Sequence, residues 1–442
     1  MTRATGTVVL GYGVTGKSVV QHLRAQGMEP RVLDTRAQPT SIEGLGNVEV
    51  HWQVQNWPAE LLAETQQVIV SPGLPLHHPL VRQTHAAGIA TASDIDLFMA
   101  KVGAPVVGVT GTNGKSTVVS LVGHLLQAGG HECVVGGNLG VPALALLEAP
   151  ADIYVLELSS FQLAHSAHLA LASAGVLNIT DDHRDWHGDF ESYKRAKERI
   201  YVNADYCVGG LNSDWSVDVK VDMSAPSANR WGVARRENAP WLFCGDIPLI
   251  AVSDLPLEGR HNVENCLWAL ALVEPWIEPR HAAQLLVGFQ GLPHRFEFLS
   301  GPTDIHCIND SKATNVGATL AALEGFARDE SLILIAGGDS KHADLAPLGE
   351  AMQGRVQRLV TLGQDAATLN EVASANGVLW QQVTTMDDAV SAAFEHAKAG
   401  DTVLLSPACA SLDMYANFAA RGDHFKELVS QHTKAEQVAL RS

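Results

Sequence analysis

Short apolar runs alternate with helical stretches along nearly the whole of this chain, and that alternation leaves little choice of architecture. TVVLG (7–11) is the first run, and a helical stretch follows from Lys17 to Ala25. RVLD (31–34), VEVH (48–51) and QVIVS (67–71) come next. Strands spaced by helices pair in parallel, because a parallel partner is reached only by a crossover long enough to return over the sheet. This first α/β unit ends near residue 93, before SDIDLF. A second opens on APVVGVT (104–110), and its helix STVVSLVGHLLQA puts Val118, Leu121, Val122, Leu125 and Leu126 on one face. DIYVLELS (152–159) and SAGVLNIT (173–180) read as further strands, 203–258 as a peripheral strand-rich stretch, and HNVENCLWALALV (261–273) as a helix. The third unit starts near GLPHRFE (291–297) and alternates DIHCIND (304–310), a helix at about 314–327, SLILIAGG (331–338), VQRLVTLG (356–363) and DTVLLSP (401–407). The predicted fold is α/β with three domains, at 1–93, 94–291 and 292–442.

Composition narrows what such a fold can do. With 442 residues, 46% of them apolar and 18% charged, ordinary cores are expected. The 48 acidic residues outnumber the 30 basic ones, for a formal charge of −18. That argues against a nucleic-acid partner, which wants a basic face, but not against phosphate ligands, which need only a local basic site. Six scattered cysteines (133, 207, 244, 266, 307 and 409), with no C-x-x-C pair, read as reduced thiols rather than a disulfide framework or zinc site. MTRATGTVVL has no apolar signal core, and no run approaches the roughly 18 apolar residues of a membrane helix. A cytoplasmic protein without membrane insertion is expected.

Two loops compete for a nucleotide. GYGVTGKS (11–18) fits the strict phosphate-loop pattern G-x-x-x-x-G-K-[ST], and its first six residues also fit the dinucleotide fingerprint G-x-G-x-x-G. VTGTNGKST (109–117) fails the strict pattern, since Val109 stands where the first glycine belongs. Both follow a strand and open a helix, so both offer backbone N–H groups to an anion. Their surroundings separate them. After the first loop, VLDTR puts Asp34 eighteen residues past Gly16, close to where a dinucleotide fold places its acid. The later strand end VIVSPG (68–73) offers Ser71 and no carboxylate for magnesium, and Lys17 reads as an exposed first-turn lysine. After the second loop, DIYVLELSSF ends a strand on Glu157, NITDDHRDWHGDF brings His183 among several acids, and YKRAKERIY contributes Lys197. A hydroxyl from Ser116 or Thr117, a glutamate and a histidine beside the Lys115-bearing loop suit magnesium and a triphosphate. Alone, Glu157 fits a buried ion pair, His183 a solvated loop histidine and Lys197 a surface helix lysine. The rival classes are an NAD(P)-dependent oxidoreductase on 11–16, which leaves 111–117, Glu157 and Lys197 without work, and a nucleotide-regulated switch protein, which would release phosphate without an amino-acid acceptor.

The chain resembles the ATP-dependent Mur ligases. Besides GTNGKST (111–117) it carries ELSSFQL (157–163), NITDDHRDWHG (178–188), GRHNVENCLWA (259–269), GLPHRFE (291–297) and NDSKATN (309–315) in one order. The likeness runs from Gly11 to Phe418 and is weak only over 203–258. DTR (34–36), NDSKATN and SPACASLDMYANF (406–418) are similar to the members that add D-glutamate, and speak against those that add L-alanine, a diamino acid or a dipeptide, or that polyglutamate folate. The resemblance implies a Rossmann-like N-terminal domain for a UDP substrate, a central P-loop ATPase-like domain that binds ATP, and a Rossmann-like C-terminal domain for D-glutamate. It implies a reaction in peptidoglycan precursor synthesis: the carboxylate of UDP-N-acetylmuramoyl-L-alanine is phosphorylated by ATP to an acyl phosphate, which the amine of D-glutamate attacks. Two phosphate-bearing substrates account for two loops.

The same resemblance implies the site. ATP is held by Gly111, Thr112, Asn113, Gly114, Lys115, Ser116 and Thr117, with Asn262 and Asn265 near the base, and Arg295 and Asp310 at the γ-phosphate and ribose. Ser116 and Glu157 match ligands of one Mg2+, and His183 and Lys197 the site of a second; with Lys115 these last two form the catalytic group. An ammonium cannot ligate a cation, so the resemblance implies a carbamylated Lys197. Val14, Thr15, Thr35, Arg36, Ser71 and Gly73 match a uridine diphosphate cradle, and Asn138 a contact to the muramoyl side. Lys312, Thr314, Lys341, Ser411 and Phe418 match a D-glutamate pocket, where two lysines facing a diacid make electrostatic sense. A monomer is expected, with a hinge near Gly288–Pro293 whose closure excludes water from the acyl phosphate.

Overall fold

The computed structural model describes residues 4–37, 48–138, 140–257, 259–302, 304–326 and 331–439. The chain divides into two compact units, Met1–Asp254 with Asn265–Val287, and Leu255–Glu264 with Gly288–Ser442.

The first unit holds two sheets. β1 (Ala4–Leu10), β2 (Glu29–Leu33), β3 (Val50–His51), β4 (Gln67–Val70) and β5 (Ala90–Ala92) form a parallel sheet in the order β3-β2-β1-β4-β5. Val8, Val9, Leu10, Val68 and Ile69 have no exposed surface, as expected for strands covered on both faces. The order reverses between β1 and β4, and that switch point opens a crevice at their carboxyl ends. The second sheet is built from β6 (Val106–Thr110), β7 (Cys133–Gly137), β8 (Ile153–Glu157), β9 (Ser173–Val176), β10 (Cys207–Gly210), β11 (Val219–Val221), β12 (Arg230–Arg236), β13 (Ala239–Cys244) and β14 (Ile247–Ala251), in the order β14-β13-β12-β11-β10-β9-β6-β8-β7. The stretch read as peripheral and strand-rich thus becomes β10–β14: three strands extend the parallel sheet and two fold back as an antiparallel ladder.

These two sheets share one core, although the sequence divides them into separate units. Val9, Val19, Val32 and Ile69 belong to the same buried cluster as Leu144, Leu156 and Leu163. Two serine-capped helices meet there, Asp94–Met99 and Ser160–His165, each with a capping box. Ser93 Oγ lies 3.1 Å from Ser166 Oγ, and Asp96 Oδ1 accepts from the backbone N–H groups of Ala167 (2.8 Å) and His168 (2.7 Å). Among the described residues no helix is long and apolar enough to cross a membrane.

In the second unit, β15 (Glu297–Ser300), β16 (His306–Asn309), β17 (Leu332–Gly337), β18 (Val356–Leu362), β19 (Leu379–Gln382) and β20 (Thr402–Leu405) form a sheet in the order β15-β16-β20-β17-β18-β19, parallel apart from β15. The helix expected at about 314–327 spans Val316–Glu324, and Ala327 lies outside the described residues. The helix expected from Lys17 starts three residues earlier, at Val14, because Gly13 already serves as its N-cap.

Candidate active site

The loop after β6 turns on glycine. Gly114 precedes the helix Lys115–Ala128 in the left-handed region (φ +82°), and a Cβ there would come within 2.6 Å of Asn265 Oδ1. Asn178, just past β9, ties the loop down. Its side-chain oxygen accepts from Asn113 N (2.9 Å), its amide donates to Asn113 O (3.1 Å), and its backbone oxygen accepts from Thr112 N (2.9 Å). Val109 is a buried strand residue between Glu157 on β8 and Gly175 on β9. A glycine is not needed there, since β6 continues to Thr110.

Lys115 is the first helical residue, and its ammonium folds back to donate to Gly111 O and Thr112 O, 2.8 Å each. Ser116 and Thr117 are buried behind it. Ser116 Oγ donates to Glu157 Oε2, and Asn138 Nδ2 donates to Glu157 Oε1 (2.6 Å). Lys197 reaches the same loop: Nζ donates to Gly111 O at 2.8 Å and stands 4.7 Å over the Tyr193 ring. Only 2% of Lys197 is exposed, which rules out a surface lysine. Burial, reinforced by the Lys115 charge, holds its amine well below the usual lysine range. Tyr193 also hydrogen-bonds Thr112 Oγ1 (2.9 Å) and packs edge-on against His183, with centroids 6.0 Å apart. His183 takes a left-handed backbone (φ +53°), strained for a residue with a Cβ, and its Nε2 lies 3.5 Å from Asp182 Oδ2.

The structure therefore brings Lys115, Ser116, Asn138, Glu157 and Lys197 together and links His183 to them through Tyr193. Among the described residues no group of three or more His, Cys, Asp or Glu side chains could hold a metal ion. The Ser116–Glu157 oxygens do fit a magnesium ion that arrives on a nucleotide and takes its other ligands from phosphate and water.

The first loop shares the Gly-Lys-Ser ending and has a different geometry. Gly11 has φ +87°, and a Cβ on Gly16 would lie 1.9 Å from Gly11 O, so helix and strand touch there as in a dinucleotide fold. Lys17 is the fourth residue of its helix, half-buried rather than exposed, with its N–H already bonded to Gly13 O (2.9 Å). Ser71 Oγ donates to Gly11 O (2.9 Å), Val14 is 74% exposed, Thr15 is half-buried and Gly73 is exposed. Asp34 is buried and its oxygens are taken by the protein. It accepts from Tyr12 N (2.7 Å), from Arg36 N and Nε (2.9 Å each) and from Arg36 Nη2 (2.7 Å). Burial alone would push this carboxyl up, but those hydrogen bonds hold it below the usual carboxylate range. Thr35 stands between the two partners. Asn138, matched to the muramoyl side, has its side chain on Glu157.

In the second unit, strand order gathers residues far apart in sequence onto one sheet edge. Asp310, Lys312 and Thr314 follow β16, Ser411 follows β20 and Lys341 follows β17, three neighbouring strands. Asp339 and Ala410 exchange backbone hydrogen bonds (3.0 and 2.8 Å), which pairs the loops that carry Lys341 and Ser411. Lys312 Nζ lies 3.9 Å over the Phe418 ring, and Thr314 N donates to Lys312 O (2.8 Å). Asp310 accepts from Ser406 Oγ (3.0 Å) and Phe296 N (3.3 Å); desolvation pushes its carboxyl up to about 7 despite the nearby Arg295 charge. Asn262 lies in this unit's segment Leu255–Glu264 and Asn265 in the first unit, both buried.

Three supports escape sequence reasoning. Arg421, 3% exposed, donates to Ser311 Oγ (3.0 Å), Ser311 O (2.9 Å) and Cys409 O (3.2 Å), and so holds the loops after β16 and β20 together. It stands three residues past Phe418 on one helix, which places both on one face. That spacing is the only signal it leaves in the sequence. Tyr193 and Asn178 sit inside motifs whose neighbours attract the attention.

Sequence comparison finds three families in order. A Mur ligase MurD-like N-terminal domain matches residues 5–93, the Mur ligase middle domain 109–273, and the Mur ligase glutamate ligase domain 294–409. The chain is 43% identical over 440 residues to the UDP-N-acetylmuramoylalanine–D-glutamate ligase of Nitrosococcus oceani, covering 97% of each. It is 41% identical over 433 residues to that of Salmonella typhi, covering 96% of this chain and 98% of the relative. It is similar in structure to the UDP-N-acetylmuramate–alanine ligase of Thermotoga maritima, with a TM-score of 0.61 at 16% identity over 96% of this chain and 99% of that one. At that identity the likeness speaks for the fold alone.

Proposed function

The chain belongs to the Mur ligase family, and from that premise we propose that it joins UDP-N-acetylmuramoyl-L-alanine to D-glutamate at the expense of ATP. The reading is carried by one observation: Lys115, Ser116, Glu157 and Lys197 converge on a single glycine loop in a chain that matches D-glutamate-adding relatives from end to end. ATP and magnesium are its cofactors. Bound magnesium would screen the phosphate charge that otherwise repels an attacking carboxylate.

The loop 111–117 cradles the triphosphate, and Lys115 turns from the Gly111 and Thr112 carbonyls to the phosphates. Ser116 and Glu157 hold the nucleotide's magnesium. Asn265 borders the base beside Gly114, and Asn262, Arg295 and Asp310 are assigned to the base, γ-phosphate and ribose. The alanyl carboxylate attacks the γ-phosphorus, the bond to the β-γ bridging oxygen breaks, and ADP leaves. The D-glutamate amine then adds to the acyl carbon, and phosphate departs with a proton lost from the amine. Lys312, Thr314, Lys341, Ser411 and Phe418 take the D-glutamate, the two ammonium groups against its carboxylates. Val14, Thr15, Thr35, Arg36, Ser71 and Gly73 take the UDP end; Arg36 would exchange part of its fork from Asp34 to phosphate.

Lys197 is proposed to work as a carbamate. Burial lowers the pKa of its amine and so favours the neutral form, which is what attacks carbon dioxide; the product would carry a carboxylate-like charge that, with His183, would hold a second magnesium. Domain limits of 1–93, 94–291 and 292–442, a monomeric working form and a cytoplasmic location complete the proposal. The test is phosphate release with UDP-N-acetylmuramoyl-L-alanine and a panel of amino acids. Stimulation by D-glutamate alone is expected; stimulation only by another amino acid overturns the acceptor.

A further inference from the structure

One group of contacts in the first unit serves no step of that chemistry. Trp186 Nε1 donates to Pro72 O (3.2 Å), and His165 Nε2 stands 2.7 Å from Leu74 O. Burial lowers the pKa of the His165 imidazole, and because a carbonyl can only accept, the Nε2 facing Leu74 carries the hydrogen. Both acceptors belong to the loop after β4, whose first residue, Ser71, donates to Gly11 O (2.9 Å). Both donors belong to the other sheet's layer. Trp186 is 8% exposed and stacks on Phe161 with centroids 4.8 Å apart, and Phe161 in turn meets the His183 ring at 4.8 Å. His165 packs edge-on against Trp186 at 5.7 Å. An unbroken run of contacts therefore leads from the first glycine loop to His183.

We infer that Trp186 and His165 form a strap that sets the Ser71–Leu74 loop at a fixed height against the His183 loop, which makes Trp186 a positioning residue for the UDP-bearing substrate. The inference rests on the reading of that loop as part of the UDP cradle. The reacting carboxylate sits at the opposite end of this long substrate from the UDP. A displacement of about 1 Å where the substrate is anchored is carried to the reacting end, where misplacement on that scale is enough to lower the rate steeply. Pro72 and Leu74 are loop residues outside the β4 ladder, so side-chain donors are what hold their carbonyls.

The test uses the full chain and four variants. Trp186→Phe keeps the stack on Phe161 and removes the N–H; His165→Phe removes the second donor and His165→Gln keeps one; the double Phe variant removes both. Trp186→Phe should speed amide exchange at Gly73 and Leu74 several-fold. It should raise the KM for UDP-N-acetylmuramoyl-L-alanine about five- to tenfold, the effect of one ordinary hydrogen bond, with the KM for ATP and D-glutamate within about twofold of native. His165→Phe should act in the same direction, His165→Gln should stay near native, and the double variant should exceed either single. If Trp186→Phe does not fold, the His165 pair carries the comparison. Native exchange and native KM in the folded variants overturn the strap, as does an equal rise in all three KM values. A wild-type chain that binds no UDP-N-acetylmuramoyl-L-alanine in calorimetry overturns the cradle reading instead.

Discussion

Replacing Asp94 by asparagine should make folding of this protein less dependent on pH, by an amount that follows from its surroundings. Asp94 opens the helix Asp94–Met99 at the junction of the first two sheets and is 2% exposed. Its Oδ2 accepts a single side-chain hydrogen bond, from Gln162 Nε2 at 3.3 Å, and its Oδ1 has no hydrogen-bond partner among the described residues. Burial pushes the carboxyl from its ordinary 3.8 up to about 6, and the Asp96 charge adds to this. The folded chain thus holds this proton more tightly than the unfolded one. The resulting stability is fully present below about pH 4 and is lost as pH rises through 6. At about 1.4 kcal/mol per pH unit, a shift of about two units is worth about 3 kcal/mol, and roughly half of it disappears between pH 5 and 7.5. Asparagine stays neutral throughout, so any constant packing difference cancels between the two conditions. Urea unfolding of both proteins, followed by far-UV circular dichroism, should show the difference moving in the variant's favour by about 1.4 kcal/mol from pH 5 to pH 7.5. A difference constant to within about 0.5 kcal/mol, or one that moves the other way, would refute the idea that burial raises this carboxyl well above its ordinary value.

Three further outcomes are expected. Lys197→Ala should lower turnover by on the order of a hundredfold or more, and added formate or acetate should restore part of it in a phosphate-release assay; native turnover removes the carbamate. Gly114→Ala forces a left-handed Cβ to within 2.6 Å of Asn265 Oδ1, so ATP affinity in a nucleotide titration should fall by about tenfold, with the UDP substrate unaffected. Desolvation has pushed Asp310 up to about 7, so it gains a proton as pH falls through neutrality. If its carboxylate accepts from the ribose, the KM for ATP should climb below pH 7, and Asp310→Asn should abolish that pH dependence.

The alternation of strands and helices was legible because parallel strands covered on both faces must be apolar throughout. Leu332–Gly337 is buried at every position and reads LILIAG. β5 (ATA), β7 (CVVGG) and β19 (LWQQ) escaped because a short strand needs neighbours to define it, and their sequences fit a loop as well. The shared core of the first two sheets was likewise invisible, since it depends on which faces meet. Within the site, the residue types that do chemistry stood out, while the residues that hold them did not. Arg421 acts on Ser311 over 110 positions, Tyr193 on Thr112 over 81 and Asn178 on Asn113 over 65. No local pattern carries such a pairing.

The two glycine loops divide what each level decides. By itself, the sequence determined that both GYGVTGKS and VTGTNGKST join a buried strand to a helix, and that only the second is followed by Glu157, His183 and Lys197. Where each helix begins was settled only in three dimensions. Gly114 bends the backbone so that Lys115 is the first helical residue and its ammonium returns over the loop. Gly16 packs on Gly11 O, the helix starts at Val14, and Lys17 enters as the fourth residue. Three residues of helix carry Lys17 about 4.5 Å further along the axis and most of a turn around it. The shared Gly-Lys-Ser thus leaves one lysine folded over its loop and the other on a helix flank.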